Sequence, residues 1–300
     1  MLAKLSNHRN QKDKIFIFLT LLPALVAVLF CCFIPVFQSI YMSFFNYILS
    51  NTGHYLWNNF QNYQEIFTEG ELFPAIKVTL IYVFYVVVLQ LGLGLILAII
   101  LNKNVIGRKF LRSLILIPWI YPTVITALLW GWLFHSEYGI INYILVQLHI
   151  LKGPISWLGS MQLALPSVMV ASLWKQLPLM IVMLLAGLQS IPAEMYEAAT
   201  IDGAKGMQVF RHITIPFLRN VIRTTVMMSI IMNFKQFPLF WIMTGGGPVN
   251  TTTTLAIYSY KNAFVNLNFG KGAAVAAIWL LILMLTYLIF DKVFRVNEVE

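Results

Sequence analysis

The sequence predicts an all-α integral membrane protein with six membrane-spanning helices, and three observations lead to this fold class. Of its 300 residues, 59% are hydrophobic and only 10% are charged, and the mean hydropathy is +0.79. A soluble domain carries about 25% charged residues. The apolar residues form six separate runs, each long enough to cross a bilayer. Lysine and arginine are concentrated in alternate connecting segments, as in multi-span membrane proteins.

The six apolar runs define the expected spans. The first run follows a basic N-terminus and lacks the short core and small-residue cleavage site of a signal peptide, so we expect it to be retained. Pro23 and Pro35 are candidate bends within it. The whole chain, 1–300, is expected to form a single membrane domain. The spans are expected at about 15–45, 74–101, 113–134, 162–188, 220–243 and 271–294.

The basic residues set the expected orientation. If the N-terminus is cytoplasmic, the inner segments and adjoining helix ends hold fourteen lysines and arginines. The outer segments then hold four, which are Lys77, Lys152, Lys261 and Lys271. The positive-inside rule therefore places both termini in the cytoplasm. Topology also accounts for the net charge of +9, so the charge does not indicate a nucleic-acid partner.

The most charged internal segment, 190–218, lies between the fourth and fifth spans on the cytoplasmic side. Pro192 favours a helix start, and Glu197 falls in the first turns, where a carboxylate suits the helix dipole. Gly203 is expected to separate this helix from a second one, with Asp202 capping the second helix. Pro216 is expected to limit the second helix. Its expected apolar face comprises Met207, Phe210, Ile213 and Phe217.

This segment resembles the Glu-Ala-Ala loop of permease subunits in bacterial ATP-binding-cassette (ABC) importers. The spacing of Gly and Pro agrees throughout, and one common Leu is Ile215 here. A match of this length is far more specific than a short motif. The resemblance implies that these residues couple the membrane domain to a separate ATPase. The matching residues are Glu197, Ala198, Ala199, Asp202, Gly203, Ala204, Phe210, Ile213 and Pro216.

Other stretches resemble the carbohydrate branch of these permeases. They are the run 185–192, the Gly-rich segment 243–248 followed by 252–254 and Tyr258, and the external pairs 43–44 and 62–63. The resemblance implies a type I importer architecture in a bacterial cytoplasmic membrane. It also implies several partners: a second homologous permease, an ABC ATPase dimer that binds ATP and magnesium, an extracytoplasmic solute-binding protein and a carbohydrate. This chain itself would hold no cofactor.

Sugar contacts in that family come from the middle of the last three spans. Lys175 and Lys235 are the two basic residues expected inside spans, and a charge there usually faces protein or water. The sequence has no intramembrane carboxylate to pair with them, which makes an acidic oligosaccharide a hypothesis for the substrate. The substrate-pathway residues implied by the resemblance are Trp174, Lys175, Asn233, Lys235 and Gln236.

Several function classes are disfavoured by what the sequence lacks. It has no phosphate-loop motif, so we expect ATP hydrolysis on a partner chain rather than here. No nucleophile elbow or metal-ligand spacing is present, and no catalytic or metal residue is expected. Cys31 and Cys32 are adjacent and cannot form a disulfide framework. The Gly-rich segment 244–248 is interpreted as a tight turn that ends the fifth span.

Two alternatives stay open at this point. The first is an ABC permease for glycerol phosphate or another small polar solute, which the two lysines suit equally well. The second is an ion-coupled secondary transporter. The second is disfavoured because every Asp, Glu and His falls in an expected loop, in a terminus or, for Asp291, at the cytoplasmic end of the last span, so no proton relay is visible within the spans.

Overall fold

The computed structural model describes residues 16–49, 56–103 and 107–294. Within these residues, five helices are long and apolar enough to cross a membrane, and a bent helix pair passes the same test when it is taken as one span. Of the fourteen basic residues expected on the cytoplasmic side, five lie outside the described residues: Lys4, Arg9, Lys12, Lys14 and Arg295. The helices are α1 (Phe16–Met42), α2 (Gln61–Thr68), α3 (Leu72–Asn102), α4 (Arg108–Ile120), α5 (Thr123–Leu133), α6 (Ile140–Gln147), α7 (Ala164–Gln189), α8 (Ala193–Ile201), α9 (Gly206–Phe234), α10 (Pro238–Thr244), α11 (Leu255–Tyr260) and α12 (Phe269–Val293).

Two of the long helices carry a π turn directly before a proline. In α1 the π turn Leu29–Phe33 precedes Pro35, and in α9 the π turn Phe210–Thr214 precedes Pro216. A proline inside an α-helix removes one hydrogen bond, and its ring clashes with the carbonyl four residues earlier. The wider π turn relieves this crowding because its hydrogen bonds run to the fifth preceding residue. Both helices therefore continue through their prolines.

The third expected span is broken in its middle. α4 and α5 meet at an angle of 94°, with Tyr121 in an extended conformation and Pro122 preceding the first turn of α5. Proline disfavours the helical conformation of the residue before it, which explains the break at Tyr121. The apolar run 113–134 is continuous in sequence, so its composition did not reveal this break.

The fifth expected span, 220–243, differs in both bounds. α9 starts already at Gly206 and ends at Phe234. The chain then breaks at Lys235–Phe237 and resumes as the short helix α10. Pro238 at the start of α10 agrees with the break, because proline has no amide hydrogen to donate and is favoured in the first turn of a helix. The expected single span is therefore two helices with a polar break between them.

The core of the bundle is formed by α3, α7 and α9, together with α5 and α10. Glycines allow close helix contact at two places. A Cβ on Gly94 of α3 would lie 2.6 Å from Met180 Cγ of α7, and one on Gly187 of α7 would lie 2.8 Å from Leu218 Cδ2 of α9. Small residues at such positions let membrane helices approach closely, where dispersion contacts stabilise them.

A compact polar layer covers the end of the bundle opposite α8. Strands β1 (Phe45–Asn46) and β2 (Leu56–Trp57) pair antiparallel, with Phe45 opposite Trp57. The buried Asn62 amide donates to the carbonyls of Ser43 and Phe45, at 2.7 and 2.9 Å. This explains the Asn-Tyr pair at 62–63: Asn62 fixes the turn after α1, and the Tyr63 hydroxyl is 2.7 Å from Ser43 Oγ.

The Gly-rich segment after α10 is held by the threonine run that follows it. Gly245 and Gly246 have positive φ angles of 58° and 90°. Thr252 Oγ1 donates to the Gly247 carbonyl and Thr253 Oγ1 to the Gly246 carbonyl. Thr254 caps α11 by accepting from the Ile257 amide. The Gly-rich segment and the threonine run are therefore one folded unit. The expected tight turn is confirmed, and α10 lies between it and α9.

Candidate functional site

The segment between α7 and α9 has the geometry of a Schellman helix end. α8 ends at Ile201, and Gly203 follows with φ of +70°. The Ala204 amide donates to the Ala199 carbonyl at 2.9 Å, and the Gly203 amide to the Thr200 carbonyl at 3.1 Å. These two bonds satisfy carbonyls that the helix end leaves free, and they require the left-handed conformation that glycine adopts without strain. Gly203 therefore fixes the turn between α8 and α9.

Two local expectations for this segment were wrong. Asp202 is the C-cap of α8, its amide donating to the Ala198 carbonyl, and it does not cap the following helix. The Gln208 side chain instead accepts from the Lys205 amide at 2.7 Å. Pro216 does not end the second helix, because the π turn before it lets α9 continue. The segment is thus one short helix joined to the beginning of a long one.

The remaining residues of the expected coupling motif divide into an outer and an inner set. Glu197 and Ala198 are exposed, whereas Ala199 is buried and Ala204, Phe210 and Ile213 are partly buried. The Tyr196 hydroxyl lies 3.5 Å from Thr214 Oγ1, which joins α8 to α9. Large apolar side chains nevertheless project outward: Ile201 is 86% exposed and Met207 is 75% exposed. The inner set anchors the segment and the outer set forms a surface, which we call the α8 surface (Glu197, Ala198, Ile201, Met207).

The second site lies within the bundle, around Asn233. This residue is only 1% exposed. Its Oδ1 accepts from Tyr82 Oη at 2.9 Å and from Gln176 Nε2 at 3.2 Å. Its Nδ2 donates to the Ser229 carbonyl at 2.9 Å and to Gln90 Oε1 at 3.4 Å. The Asn233 amide thus links α3, α7 and α9.

Three further contacts belong to this network, and one of its polar groups has no partner among the described residues. The Ser172 hydroxyl is 2.6 Å from Tyr82 Oη and accepts from Gln176 Nε2 at 3.0 Å. Ser229 Oγ donates to Gln90 Oε1. Gln90 Nε2 is buried and has no hydrogen-bond partner in the described part of the chain, and it lies beside a void of about 20 Å³. A buried amide without a partner is costly, so this is the point at which the network can accept another polar group.

Lys175 does not point freely into a cavity. Its Nζ donates to the carbonyl of Tyr121 at 2.6 Å, at the break between α4 and α5. The broken helix frees this carbonyl, and a cation at the C-terminal end of α4 is favourable for the helix dipole. Trp174 packs edge-to-face on Trp130 of α5, with ring centroids 5.9 Å apart. Lys175 and Trp174 therefore hold the broken span against α7.

Lys235 and Gln236 form the polar break between α9 and α10. Lys235 is exposed and Gln236 is partly exposed. Among the described residues, the ion pairs are Arg223 with Asp291 and Lys271 with Glu69, so no described carboxylate neutralises Lys175 or Lys235. No group of His, Cys, Asp and Glu in the described part of the chain could hold a metal ion.

The structure brings together residues that the sequence interpretation missed. Tyr82, Gln90, Ser172, Gln176 and Ser229 all lie in apolar spans and all contact the Asn233 network. A signal was available, because Ser172 and Gln176, and likewise Ser229 and Asn233, are four residues apart and so share one helix face.

The fold and these two sites define a multi-span membrane permease. The chain belongs to the family described as binding-protein-dependent transport system inner membrane components, whose model matches residues 90–296. It is accordingly an inner-membrane transport component. The trehalose/maltose transport system permease protein MalF of Thermococcus litoralis is 33% identical over 279 residues, which cover 93% of each chain. The sulfoquinovosyl glycerol transport system permease protein SmoG of Agrobacterium fabrum is 32% identical, covering 95% of this chain and 92% of that one.

Solved structures agree on the fold. A crystal structure of a bacterial ABC transporter that imports the acidic polysaccharide alginate matches with a TM-score of 0.80 at 19% identity, covering 97% of this chain and 98% of that one. A second structure, of the alginate transporter with its alginate pentasaccharide-bound periplasmic protein, gives a TM-score of 0.81 at 19% identity, covering 96% of each chain. The ABC importer permease fold is therefore confirmed.

Proposed function

We propose that this chain forms half of the translocation pore of an ATP-driven sugar importer. The observation that carries the proposal is the α8 surface at one end of α9, whose other end is the polar break at Lys235–Gln236. One helix thus joins a docking surface to a polar site inside the bundle. Relatives named as permeases for maltose, trehalose and sulfoquinovosyl glycerol support a sugar as the substrate.

The proposal assigns the other functions to partner chains. A second homologous permease completes the pore, and an ABC ATPase dimer with its ATP and magnesium hydrolyses the nucleotide. One ATPase subunit docks on the α8 surface, where Ile201 and Met207 supply apolar contacts and Glu197 a charged one. An extracytoplasmic solute-binding protein delivers the sugar to the opposite end of the bundle. Both termini and α8 then lie in the cytoplasm, surrounded by membrane lipid along the spans.

The mechanism is alternating access. When the ATPase subunits close, they displace α8, and the Schellman turn at Gly203 passes this motion to α9. The shift of α9 moves Asn233 relative to Tyr82 and Gln176, and Gln90 Nε2, which has no partner among the described residues, becomes available to a sugar hydroxyl. The sugar is then held by Asn233, Lys235, Gln236 and the neighbouring amides. Trp174 and Lys175 position the broken span beside this path.

We further propose that the site favours an acidic sugar. Lys175 and Lys235 have no carboxylate partner among the described residues, and a carbonyl bond to Lys175 leaves its charge in place. The relatives do not decide the question, since they are named both for maltose and for a sugar with a sulfo group. Two positive charges with no described carboxylate partner favour an anionic ligand over a neutral one.

The coupling function is tested with the assembled importer in nanodiscs, by measuring ATPase activity with the binding protein and a panel of sugars. The panel contains maltotriose, a mannuronate trimer and glycerol phosphate. We expect one ligand to stimulate the native complex and Glu197→Lys to lose this stimulation while still assembling. Glu194→Lys, an exposed acid one turn earlier in α8, is the matched control and should retain it. Equal behaviour of the two variants would contradict the role of Glu197.

Stimulation by glycerol phosphate alone would contradict a sugar substrate and indicate a phosphate ester instead. Uptake that survives ATP depletion and collapses with the ion gradient would instead indicate a secondary transporter.

The charge preference is tested by combining Lys175→Gln with Lys235→Gln. We expect uptake of the mannuronate trimer to fall at least tenfold, and uptake of maltotriose to change much less. The control combines Lys77→Gln with Lys152→Gln, which removes the same charge from the outer segments. Equal loss of both sugars in the Lys175/Lys235 variant would contradict an acidic substrate.

A further inference from the structure

A row of aromatic side chains leads from the polar break at Lys235–Gln236 along α10 and α11. Phe237 and Trp241 stack at 5.9 Å, with an angle of 16° between their planes. The Tyr260 ring lies 4.8 Å from Phe237 and 4.7 Å from Trp241, and Phe264 follows at 5.1 Å from Tyr260. Phe237, Trp241 and Tyr260 are only partly buried, and Phe264 is exposed. These rings are therefore accessible, unlike the rings of the core.

Beside Trp241 the outer layer contains an open cavity of about 500 Å³. This volume lies within the range of about 300–1,000 Å³ that is usual for small-molecule sites. Its lining combines the Trp241 ring with polar side chains from the loops around α11. The polar lining comprises Glu69, Glu71, Asn250, Tyr258, Lys261, Asn262, Asn266 and Lys271.

Two polar groups on this lining make no hydrogen bond with any other described residue. They are the indole N–H of Trp241, which is not buried, and the side-chain amide of the exposed Asn266. An amide offers two donors and one acceptor, and an indole offers one donor. Together with the apolar face of the indole ring, these groups complement a pyranose, which has hydroxyls around its edge and C–H groups on its faces.

The charges on the cavity are balanced. Lys271 is paired with Glu69. Lys261 donates to Asn250 Oδ1 at 3.2 Å, and Asn250 Nδ2 donates to Glu71 Oε1 at 3.4 Å. Two cations therefore face two carboxylates. The cavity favours hydroxyl groups and the stacking of a ring, and it does not select by net charge.

We propose that this cavity is an extracytoplasmic sugar subsite. One pyranose ring packs on Trp241 and bonds the Asn266 amide and Lys261, and the sugar then follows Tyr260 and Phe237 to the polar break. This inference rests on the proposed sugar function and adds to it a second binding place, outside the bundle core. The outer cavity binds the sugar ring, and the lysines of the deeper site discriminate charge.

The test measures uptake into vesicles with the complete importer, using maltotriose and the mannuronate trimer as probes. Trp241→Ala is expected to raise the KM for the transported sugar about tenfold, which is the size expected for loss of one stacked ring. Trp241→Tyr keeps a flat ring and should restore most of the affinity. Asn266→Ala, which removes an exposed side chain with no described partner, should raise KM about threefold.

Trp132→Ala is the matched control. Trp132 is 68% exposed at the end of α5, away from the cavity, and its loss should leave KM unchanged. If the native importer transports a probe, and the Trp241→Ala and Trp132→Ala variants have equal KM for that probe, the subsite is overturned and the sugar function stays intact. A native complex that neither transports nor is stimulated by either probe would overturn the sugar function, and the subsite with it.

Discussion

At the scale of single residues, Gly203 shows how one backbone conformation determines a surface. Its positive φ allows the Ala204 amide to reach the Ala199 carbonyl, and this bond sets the direction in which α9 leaves α8. A Cβ at this position would meet nothing within 4 Å. Substitution effects at Gly203 therefore report on backbone conformation, with no contribution from steric contact.

We predict that Gly203→Val lowers stability by about 1–2 kcal/mol, because a β-branched residue is strained in the left-handed region. Gly203→Asn should cost much less, since Asn tolerates that conformation. Thermal unfolding of the purified complex measures stability, and ligand-stimulated ATPase activity measures coupling. Similar loss in both variants would mean that the turn does not depend on a positive φ.

The site residues differ in how far the sequence could predict them. The position of Gly203 just after α8 was sufficient to predict the turn between the two helices, because the preference for glycine at helix ends depends only on local sequence. The position of Lys175 could not be predicted, because its partner is a carbonyl freed by a break in another span. Asn233 is one of the predicted substrate-pathway residues, and it is buried in α9. Its five partners come from three helices, and only their packing brings them together.

At the scale of elements, the Asn233 network joins α3, α7 and α9 in the middle of the bundle. We predict that Asn233→Leu lowers the free energy of unfolding by about 1–3 kcal/mol, because it leaves buried donors of Tyr82 and Gln176 without their acceptor. Asn220→Leu, at an exposed position of the same helix, is the control and should change stability little. Thermal unfolding in detergent compares the two, and equal stability would show that the network adds nothing to packing.

The contact between α2, α11 and α12 gives a pH dependence. Burial, together with the carboxylates of Glu69 and Glu71, raises the pKa of Tyr258 to about 12. Below pH 10 the hydroxyl is neutral in the folded and unfolded chains, and its contribution to the free energy of unfolding is fully present. As the pH rises from 10 toward 12, the unfolded chain releases this proton first, so stability decreases.

Unfolding temperatures between pH 9 and pH 11 test this expectation. The native protein should lose more stability over that interval than Tyr258→Phe, which has no proton to release. Tyr143→Phe, which removes the hydroxyl of an exposed tyrosine, is the control and should behave like the native protein. Parallel curves for native protein and Tyr258→Phe would contradict the raised pKa.

At the scale of the whole molecule, successive spans run in opposite directions, so the connecting segments are divided between two ends of the bundle. One end carries α8, and the other carries the β1–β2 pair and the Gly-rich unit. We predict that Val249→Cys reacts with a membrane-impermeant maleimide from outside the cell, and that Ile201→Cys reacts only after permeabilisation. The two positions are comparably exposed, at 80% and 86%, and Cys31 and Cys32 are replaced in both variants. The reverse labelling pattern would invert the proposed orientation.

Hydropathy predicted the positions of four long helices well. The helices α1, α3, α7 and α12 lie within a few residues of the expected spans, because length and apolarity alone define a crossing. It failed where a proline acts within an apolar run. Pro122 breaks the third span and Pro238 divides the fifth, whereas Pro216 interrupts nothing. Pro178 likewise lies inside the continuous helix α7, so composition alone does not show which proline breaks a span.

The continuous course of α9 has one more consequence. Its 29 residues make a rod about 43 Å long, and each residue turns a helix by about 100°. The angular phase between Met207 at one end and Asn233 near the other is therefore set by the number of residues together with the π turn Phe210–Thr214. Substitutions that keep this π turn leave the phase intact, but a single residue inserted after it would swing Asn233 away from Tyr82 and Gln176. The number of residues between Met207 and Asn233 is therefore fixed by the contacts that each end of α9 must make.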